Sequence, residues 1–223
     1  MKLVDRLLWG AGLVGMVVAL YLVFMWVPTA DVREGIAQRI FYFHVPMGWM
    51  ALLAMAHVFA GSVLYLWRRE QKWDLMAYAS AEVGVVFTFL ALATGSIWGK
   101  PAWFQWWVWD PRLTSTLVLW LIFIAYLLLR SYSSPAQAPR FGAVVGIIGG
   151  LDVPIVYFSI QWWRTLHPGP VIGGGGSLHP TMLLTLLVSV GVFTVFFFLL
   201  TRLRARQRGM EMELEEIREA LGR

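Results

Sequence analysis

Six blocks of apolar residues, each about long enough to cross a lipid bilayer, divide this chain of 223 residues. A helix needs about 20 apolar residues to cross the hydrocarbon layer, and its backbone polar groups must be paired within the segment. Charged residues make up only 14% of the chain, whereas a soluble domain is about one quarter charged. We therefore predict an all-α polytopic membrane protein with six transmembrane helices. The predicted spans are residues 7–27, 46–67, 75–97, 113–129, 141–160 and 180–201.

The loops between these blocks differ in their content of Lys and Arg. Eleven basic residues flank the blocks on the side that holds both chain ends, and five flank them on the other side. Because cytoplasmic loops carry the excess of Lys and Arg, both termini are predicted to be cytoplasmic. No small-residue cleavage site follows the first block, so we interpret that block as a retained signal-anchor.

The domain prediction is a six-helix transmembrane domain over residues 1–201 and a cytoplasmic charged tail over residues 202–223. The tail begins with basic residues and then turns acidic, while Leu214, Ile217 and Leu221 recur at helical spacing. This pattern indicates a solvated helix, and a helix that binds a partner is the alternative.

The absence of cysteine excludes several kinds of site. Disulfides, thiolate metal sites, iron–sulfur clusters and thiol nucleophiles all require cysteine, as does covalent attachment of haem through C-x-x-C-H. The formal net charge of +5 is what cytoplasmic loops of a membrane protein give, and nothing in it indicates nucleic-acid binding.

A tryptophan-rich segment over residues 98–115 lies between the third and fourth blocks, on the outer, periplasmic side by this topology. Five of the chain's 13 Trp fall in it: Trp98, Trp103, Trp106, Trp107 and Trp109. Indole is apolar with one N–H to satisfy, so an aromatic belt at the membrane surface is one interpretation. The other is a stacking platform for a large planar ligand with anionic edges. On a helix, Trp103, Trp106 and Trp107 would share one face.

Three of the four histidines fall at the same outer face. His44 lies at the start of the second span, and His167 follows the fifth span at a similar depth. Two neutral imidazoles on either side of a planar ring would be suitable axial ligands for haem iron. His179, after a glycine-rich stretch, is a weaker candidate, and His57, deeper in the second span, is expected to form a hydrogen bond inside the bundle.

Cations and buried acids complete the candidate residues. Arg112, Arg164 and Lys100 are outer cations that would pair with the carboxylates of such a ligand, or with lipid headgroups. Glu82 and Asp152 fall inside predicted spans, where an ionisable group is costly and marks a functional candidate. Each is either hydrogen-bonded within the bundle or part of a proton relay.

The pattern W-G followed by W-x-x-W-W-x-W-D-x-R-L-T, from Trp98 to Thr114, resembles the WWD signature of haem-handling membrane proteins in cytochrome c maturation. With six spans in a short chain, the sequence is identified as a member of the CcmC (haem exporter protein C) family. The strings FYFHVP around His44 and WWRTLH before Pro168 support this resemblance. The resemblance implies that His44 and His167 are the haem axial ligands and that Trp106, Trp107, Trp109 and Asp110 form the namesake segment.

The resemblance also implies a function. A protein of this family is expected to hold haem b, non-covalently and transiently, at the periplasmic face of the bacterial inner membrane. It is expected to deliver the haem to the haem chaperone CcmE, with CcmD and the CcmA–CcmB ABC transporter as partners. On this interpretation the chain is not an enzyme, although a haem lyase-like activity is an alternative. A permease that conducts haem or another substrate through its helix bundle is the other alternative.

Overall fold

The computed structural model describes residues 3–29, 35–169 and 178–222, which form helices joined by short connections. The glycine run at 173–176, and with it the idea of a mobile approach to His179, lies outside these ranges. The helices are α1 (Leu3–Tyr21), α2 (Phe41–Arg68), α3 (Gln71–Trp103), α4 (Pro111–Tyr132), α5 (Ala138–Trp162) and α6 (Pro180–Ala220). A π-helical segment, Leu22–Trp26, extends α1, and a 3₁₀ segment, Gly35–Ile40, leads into α2.

Six stretches of helix are long and apolar enough to cross a membrane, and no strand occurs among the described residues. The prediction of an all-α membrane protein with six spans is therefore confirmed. Most helices extend beyond the predicted spans; α3, for example, covers Gln71–Trp103 where 75–97 was predicted. The orientation relative to the cytoplasm stays a prediction.

The core of the bundle lies between α2, α3, α4 and α5, with α6 closing one side. Met50, Leu119, Phe123 and Phe197 are fully buried there and come from α2, α4 and α6. Helix α5 approaches α2 closely because Gly146 lacks a side chain: a Cβ there would lie 2.3 Å from Ser62 Oγ. Small residues at such crossings let helices in a membrane pack backbone to backbone.

Helix α1 lies at the edge of the bundle and packs mainly on α6. Gly12 lies against the Phe196 ring and Gly15 against Val192, which sets the two helices in an antiparallel register. At the same edge Asp5, fully buried, accepts hydrogen bonds from Arg202 and Arg206 of α6.

Helix α6 continues through the predicted domain boundary at residue 201 without a break. Beyond it, Arg204 forms ion pairs with Glu82 of α3 and with Glu211. At the same end of the molecule, Arg130 of α4 and Asp74 of α3 form a buried bidentate pair. Ion pairs thus tie α1, α3, α4 and α6 together at the end opposite to the tryptophan-rich segment.

Candidate functional site

A cavity of about 520 Å³ opens at the end of the bundle where the tryptophan-rich segment lies. We call it the histidine cavity, because His44 and His167 both line it. Its wall is mostly apolar and comes from α2, α3, α4 and α5, with one residue of α6, the segment before α4 and the loop after α5. Ligand sites in proteins are typically about 300–1,000 Å³ with an apolar wall and a few polar groups, so this cavity is of the right size for a cofactor.

His44 stands in the first turns of α2 with one ring nitrogen occupied. Its Nδ1 lies 3.0 Å from the carbonyl oxygen of Ala91 and 3.2 Å from Thr94 Oγ1. A carbonyl only accepts, so Nδ1 carries the hydrogen and donates it. The Thr94 hydroxyl donates in turn to Leu90 O at 2.6 Å. In the neutral ring the lone pair therefore lies on Nε2, the form that binds a metal, with its orientation set by a second hydrogen bond.

His167 has the same arrangement in the loop after α5. Its Nδ1 lies 2.8 Å from Pro168 O, so Nδ1 donates and Nε2 carries the lone pair. Its backbone N–H donates to Thr165 Oγ1 at 3.0 Å. Burial lowers the pKa of His167 below its ordinary value, and the nearby Arg112 cation lowers that pKa further. The neutral, metal-binding form is thus favoured.

The two imidazole rings face the same cavity at a spacing that suits one metal ion between them. Their ring centres are 6.4 Å apart, with 41° between the ring planes. Metal–imidazole bonds are about 2 Å long, so two bonds in line, with the ring radii added, place ring centres roughly 6 Å apart. Among the described residues no group of three or more His, Cys, Asp or Glu is placed to hold a metal ion. A pair of histidines alone suits a metal that brings its remaining ligands with it, as in a planar macrocycle.

Asp110 holds the loop that carries His167. One carboxylate oxygen accepts from Leu113 N at 2.9 Å, which makes Asp110 the N-cap of α4. The other accepts from the Thr165 hydroxyl at 2.5 Å and from Leu166 N at 3.3 Å. Since Thr165 also accepts from the His167 backbone, the carboxylate is linked to His167 through one side chain. Asp110, which the resemblance places in the namesake segment, thus joins the start of α4 to the loop that carries His167.

The three predicted cations lie in different surroundings. Arg112 lines the histidine cavity and donates from one nitrogen to the carbonyl oxygens of Val156 and Tyr157 in α5. Arg164 lines a separate, shallower cleft beside Trp109 and Asp110. Lys100 donates to Phe104 O at 3.3 Å and lies outside both cavities. Arg112 is therefore the predicted cation that the fold brings to the histidine pair.

The five tryptophans of the segment divide into two groups. Trp98, Trp103 and Trp107 line the histidine cavity, and the Trp98 ring meets the His44 ring edge-on at 5.8 Å. Trp106 and Trp109 lie outside its wall and are 58% and 76% exposed. The expectation of one helical face was wrong, because α3 ends at Trp103 and Phe104 adopts a left-handed backbone with φ of 62°. Residues 104–110 then cross to α4 without helix.

Trp107 contributes a polar group that the sequence did not single out. Its indole Nε1 is buried and has no hydrogen-bond partner among the described residues. A buried donor without a partner is costly, so this N–H is a natural contact for a polar atom of a ligand in the cavity. The sequence analysis also did not identify Thr165, whose hydroxyl links Asp110 to the His167 backbone. Its position two residues before His167 could have marked it as a candidate, but its partner Asp110 is distant in sequence.

The remaining candidates lie away from the histidine cavity. His179 is the N-cap of α6, with Nδ1 accepting from Thr181 N. His57 forms its hydrogen bond within α2, to Leu53 O at 2.9 Å, and its ring meets Phe197 and Phe198 edge-on.

The two acids inside the spans have different surroundings. Glu82 forms an ion pair with Arg204. Of the two predicted roles, hydrogen bonding within the bundle or a proton relay, this contact fits the first. Asp152 is buried in α5, and its Oδ2 has no hydrogen-bond partner among the described residues.

The chain is similar in sequence to proteins of one family along most of its length. Residues 1–220 match the family model described as CcmC: Heme exporter protein C. The chain is 38% identical over 192 residues to the protein named Heme exporter protein C of Bradyrhizobium diazoefficiens, covering 82% of this chain and 73% of that protein. It is 39% identical over 190 residues to the Heme exporter protein C of Escherichia coli (strain K12), covering 82% and 75%. A putative cytochrome c biosynthesis ccmC-like mitochondrial protein of Marchantia polymorpha is 38% identical over 176 residues, covering 78% and 74%.

Proposed function

The chain belongs to the CcmC family of haem exporter protein C, and from this premise we propose that it is a haem-handling membrane protein of cytochrome c biogenesis. In this proposal it holds haem b non-covalently in the histidine cavity, at the periplasmic face of the inner membrane. It then presents the haem to the chaperone CcmE, working with CcmD and the CcmA–CcmB ABC transporter.

The pair His44 and His167 is the observation that carries the proposal. Each ring donates from Nδ1 to a backbone carbonyl, which leaves Nε2 as the free nitrogen. The ring centres are 6.4 Å apart on the wall of one cavity. Haem iron commonly takes axial histidine ligands, and porphyrin nitrogens supply its other ligands.

The remaining wall of the cavity suits the rest of the haem molecule. Trp98, Trp103 and Trp107 offer apolar surface to the macrocycle and exclude water from the ring. Arg112 is the cation for a propionate: among the described residues one of its guanidinium nitrogens donates to the α5 backbone, and the other nitrogens are the proposed donors to the carboxylate. The buried Trp107 Nε1 is a second donor at the same wall.

Release to a partner requires that one axial histidine leave the iron. His44 is part of a transmembrane helix, whereas His167 is on a loop held by Asp110 and Thr165. We therefore assign the exchangeable position to His167, with Asp110 as the group that keeps its loop closed. Trp109 shares a cleft with this loop, and Trp106 is exposed nearby in sequence; we propose that these two rings form the surface on which the receiving protein docks.

The proposal is tested by haem transfer from the purified chain to apo-CcmE in detergent or nanodiscs. The wild-type chain loaded with haem is expected to lose it to the chaperone, as followed by separation of the two proteins and their absorption. His44→Ala and His167→Ala should carry little haem to transfer, while His179→Ala, at the N-cap of α6, is the matched control. Loading and transfer unaffected by both cavity variants would contradict the proposal.

A further inference from the structure

Helices α2 and α5 are in tight contact along the half of their length that is farther from the tryptophan-rich segment. A Cβ added at Gly146 of α5 would lie 2.3 Å from Ser62 Oγ of α2. A Cβ added at Gly150 would lie 2.3 Å from Cδ2 of Phe59. Gly146 therefore lies level with Ser62 and Gly150 with Phe59, so the two helices run antiparallel and each glycine lies directly against α2.

The same two helices are apart beside the histidine cavity. A Cβ at Gly149 would lie 2.9 Å from Met55 Sδ, but two turns along the same face of α2 a Cβ at Gly48 would meet no atom within 4 Å. On α5, Tyr157 lies two turns beyond Gly150 on the face that meets α2, yet Tyr157 is 41% exposed. The contact between α2 and α5 therefore opens toward the cavity.

This opening, which we call the α2–α5 gap, leads into the histidine cavity. Its edges are formed by residues that all line the cavity, namely Gly48, Trp49 and Leu52 of α2 and Tyr157 and Ile160 of α5. Trp49 is 49% exposed, and Ala56 and Val63, at two-turn intervals on the same stripe of α2, are also exposed. Both edges fall inside the apolar spans 46–67 and 141–160, so the gap connects the cavity with the lipid beside the bundle.

Hydrogen bonds fix both edges of the gap from the side of the cavity. On the α2 edge, His44 Nδ1 donates to Ala91 O of α3 at 3.0 Å. On the α5 edge, Arg112 of α4 donates to Val156 O and to Tyr157 O. Helix α2 is thus held to α3, and helix α5 to α4, beside the gap. The opening is therefore part of the folded bundle.

The surroundings of the gap define the chemistry of a ligand that passes through it. The side chains at its edges are apolar or aromatic, so a molecule with mostly apolar surface moves from lipid to cavity without exposing that surface to water. The Arg112 guanidinium donates to Tyr157 O at 3.2 Å and so lies at the α5 edge, where it can pair with a carboxylate. A flat molecule that enters edge-on needs only a narrow slot. These are the properties of a planar macrocycle with carboxylate substituents.

We propose that the α2–α5 gap is the passage by which haem dissolved in the bilayer reaches the histidine cavity. The inference rests on the proposed function, since it takes haem as the ligand of the cavity. It adds the source of the haem, which is the lipid phase, and the direction of entry, which is between Trp49 and Tyr157. A propionate pairs with Arg112 at the edge of the gap, and the iron binds His44 and His167 inside.

The test obstructs the gap reversibly. The chain has no cysteine, so Trp49→Cys in the full chain, in phosphatidylcholine nanodiscs, takes a bulky methanethiosulfonate label at one position. A reductant releases the label and is removed by desalting before haem is added. The control is labelled Phe89→Cys in α3, because Phe89 is 52% exposed and lies outside the cavity wall. Its depth is similar, since a Cβ at Gly95 would lie 2.9 Å from the His44 ring and both substituted positions lie five or six residues further in.

Two rates are measured by stopped-flow absorption: uptake of haem dissolved in the nanodisc lipid, and release of bound haem to apomyoglobin. We expect the label on Trp49→Cys to slow uptake and release about ten-fold each and to leave the affinity within two-fold, because a passage acts on both directions equally. Releasing the label should restore both rates. Tyr157→Cys, on the opposite edge, should respond in the same way, and the label on Phe89→Cys should change neither rate.

The outcomes separate the passage from the proposed function. Normal bis-histidine ligation with rates that the labels at positions 49 and 157 do not change overturns the passage and leaves the proposed function standing, since haem then enters from the aqueous end of the cavity. A label that changes only one rate, and hence the affinity, also overturns the passage, because the position is then part of the binding wall. A wild-type chain in which this histidine pair ligates no haem overturns both. Thermal unfolding before and after release of the label shows that the bundle is intact.

Discussion

Asp110 performs two tasks at the histidine cavity. It begins α4 by capping Leu113 N, and it holds the His167 loop through Thr165 and Leu166 N. The first task could be predicted from the sequence, because Asp followed by Pro is a helix-start pattern and Pro111 occupies the first helical position. The second depends on a residue far along the chain, which local sequence patterns do not reveal.

Asp110→Asn is expected to weaken haem binding. The amide keeps one oxygen for Leu113 N but turns a donor toward the Thr165 hydroxyl and Leu166 N, which also donate. Loss of a charge-assisted hydrogen bond costs about 1.5–3 kcal/mol, which corresponds to roughly ten- to hundred-fold in affinity if it falls on the haem-bound state. Haem titration measures the affinity, and hydrogen exchange of residues 163–169 reports on the loop.

Thr165 provides the matched pair for that experiment. Thr165→Ser keeps the hydroxyl that donates to Asp110 and should bind haem as the wild type does. Thr165→Val keeps the shape and should resemble Asp110→Asn. A haem affinity within two-fold of wild type in both Asp110→Asn and Thr165→Val would show that the contacts between Asp110, Thr165 and the His167 backbone do not position His167.

The lowered pKa of His167 predicts how stability depends on pH. Between that lowered pKa and the ordinary value of about 6.5, the unfolded chain binds a proton on this residue that the folded chain does not. Acidification below about pH 6.5 therefore favours unfolding, and the contribution of His167 is complete at higher pH. The melting temperature of the haem-free chain should fall on acidification, and less steeply in His167→Gln. An equally steep fall in that variant would contradict the assignment.

At the scale of the elements, the end of α3 decides which tryptophans meet the cavity. Trp103 is the last helical residue, and the left-handed Phe104 turns the chain so that Trp107 returns to the wall while Trp106 and Trp109 face outward. The composition of the segment indicated either an aromatic belt or a platform for a planar ligand, and the structure divides its tryptophans between the cavity wall and the exposed surface. The division depends on the end of α3 at the left-handed Phe104 and on the irregular backbone of the residues up to Asp110, which composition and spacing do not predict.

Substitutions in the two groups of tryptophans should separate binding from transfer. Trp103→Ala and Trp107→Ala remove wall contacts and are expected to lower haem affinity roughly ten-fold each, given aromatic contributions of about 0.5–1.5 kcal/mol beyond area burial. Trp106→Ala and Trp109→Ala should leave affinity near wild type while slowing transfer to the chaperone. Parallel haem titration and transfer assays measure both quantities. A loss of affinity confined to the exposed pair would reverse the assignment.

At the scale of the whole molecule, the two ends of the bundle are built differently. The end with the tryptophan-rich segment holds a mostly apolar cavity, while the other end is held by ion pairs between α1, α3, α4 and α6. The six spans were predictable because hydropathy and span length are properties of local sequence. The antiparallel contact of α1 with α6 and the near approach of His44 to His167 depend on packing between distant segments. For the two histidines, the sequence predicted only that they lie at a similar depth in the membrane.

The Asp74–Arg130 pair tests whether these ends are independent. Asp74→Asn leaves a buried guanidinium without its partner and should destabilise the bundle by about 3–5 kcal/mol. Asp74→Asn combined with Arg130→Met should recover much of that loss, because it removes both charges. Because α3 separates Asp74 from Trp98 by about 36 Å at 1.5 Å per residue, bound haem should keep its spectrum in both variants. Thermal unfolding and absorption spectroscopy provide the two readouts, and an altered haem spectrum would show coupling.

We propose that His44 and His167 hold one haem between them. Absorption and electron paramagnetic resonance spectra of the purified chain with haem, recorded beside those of His44→Ala, His167→Ala and His57→Ala, report on this ligation. We expect six-coordinate bis-histidine haem in the wild type and in His57→Ala. Each cavity variant should show altered ligation, and added imidazole should restore six-coordination. A wild-type spectrum that neither cavity substitution changes would rule out ligation by this pair.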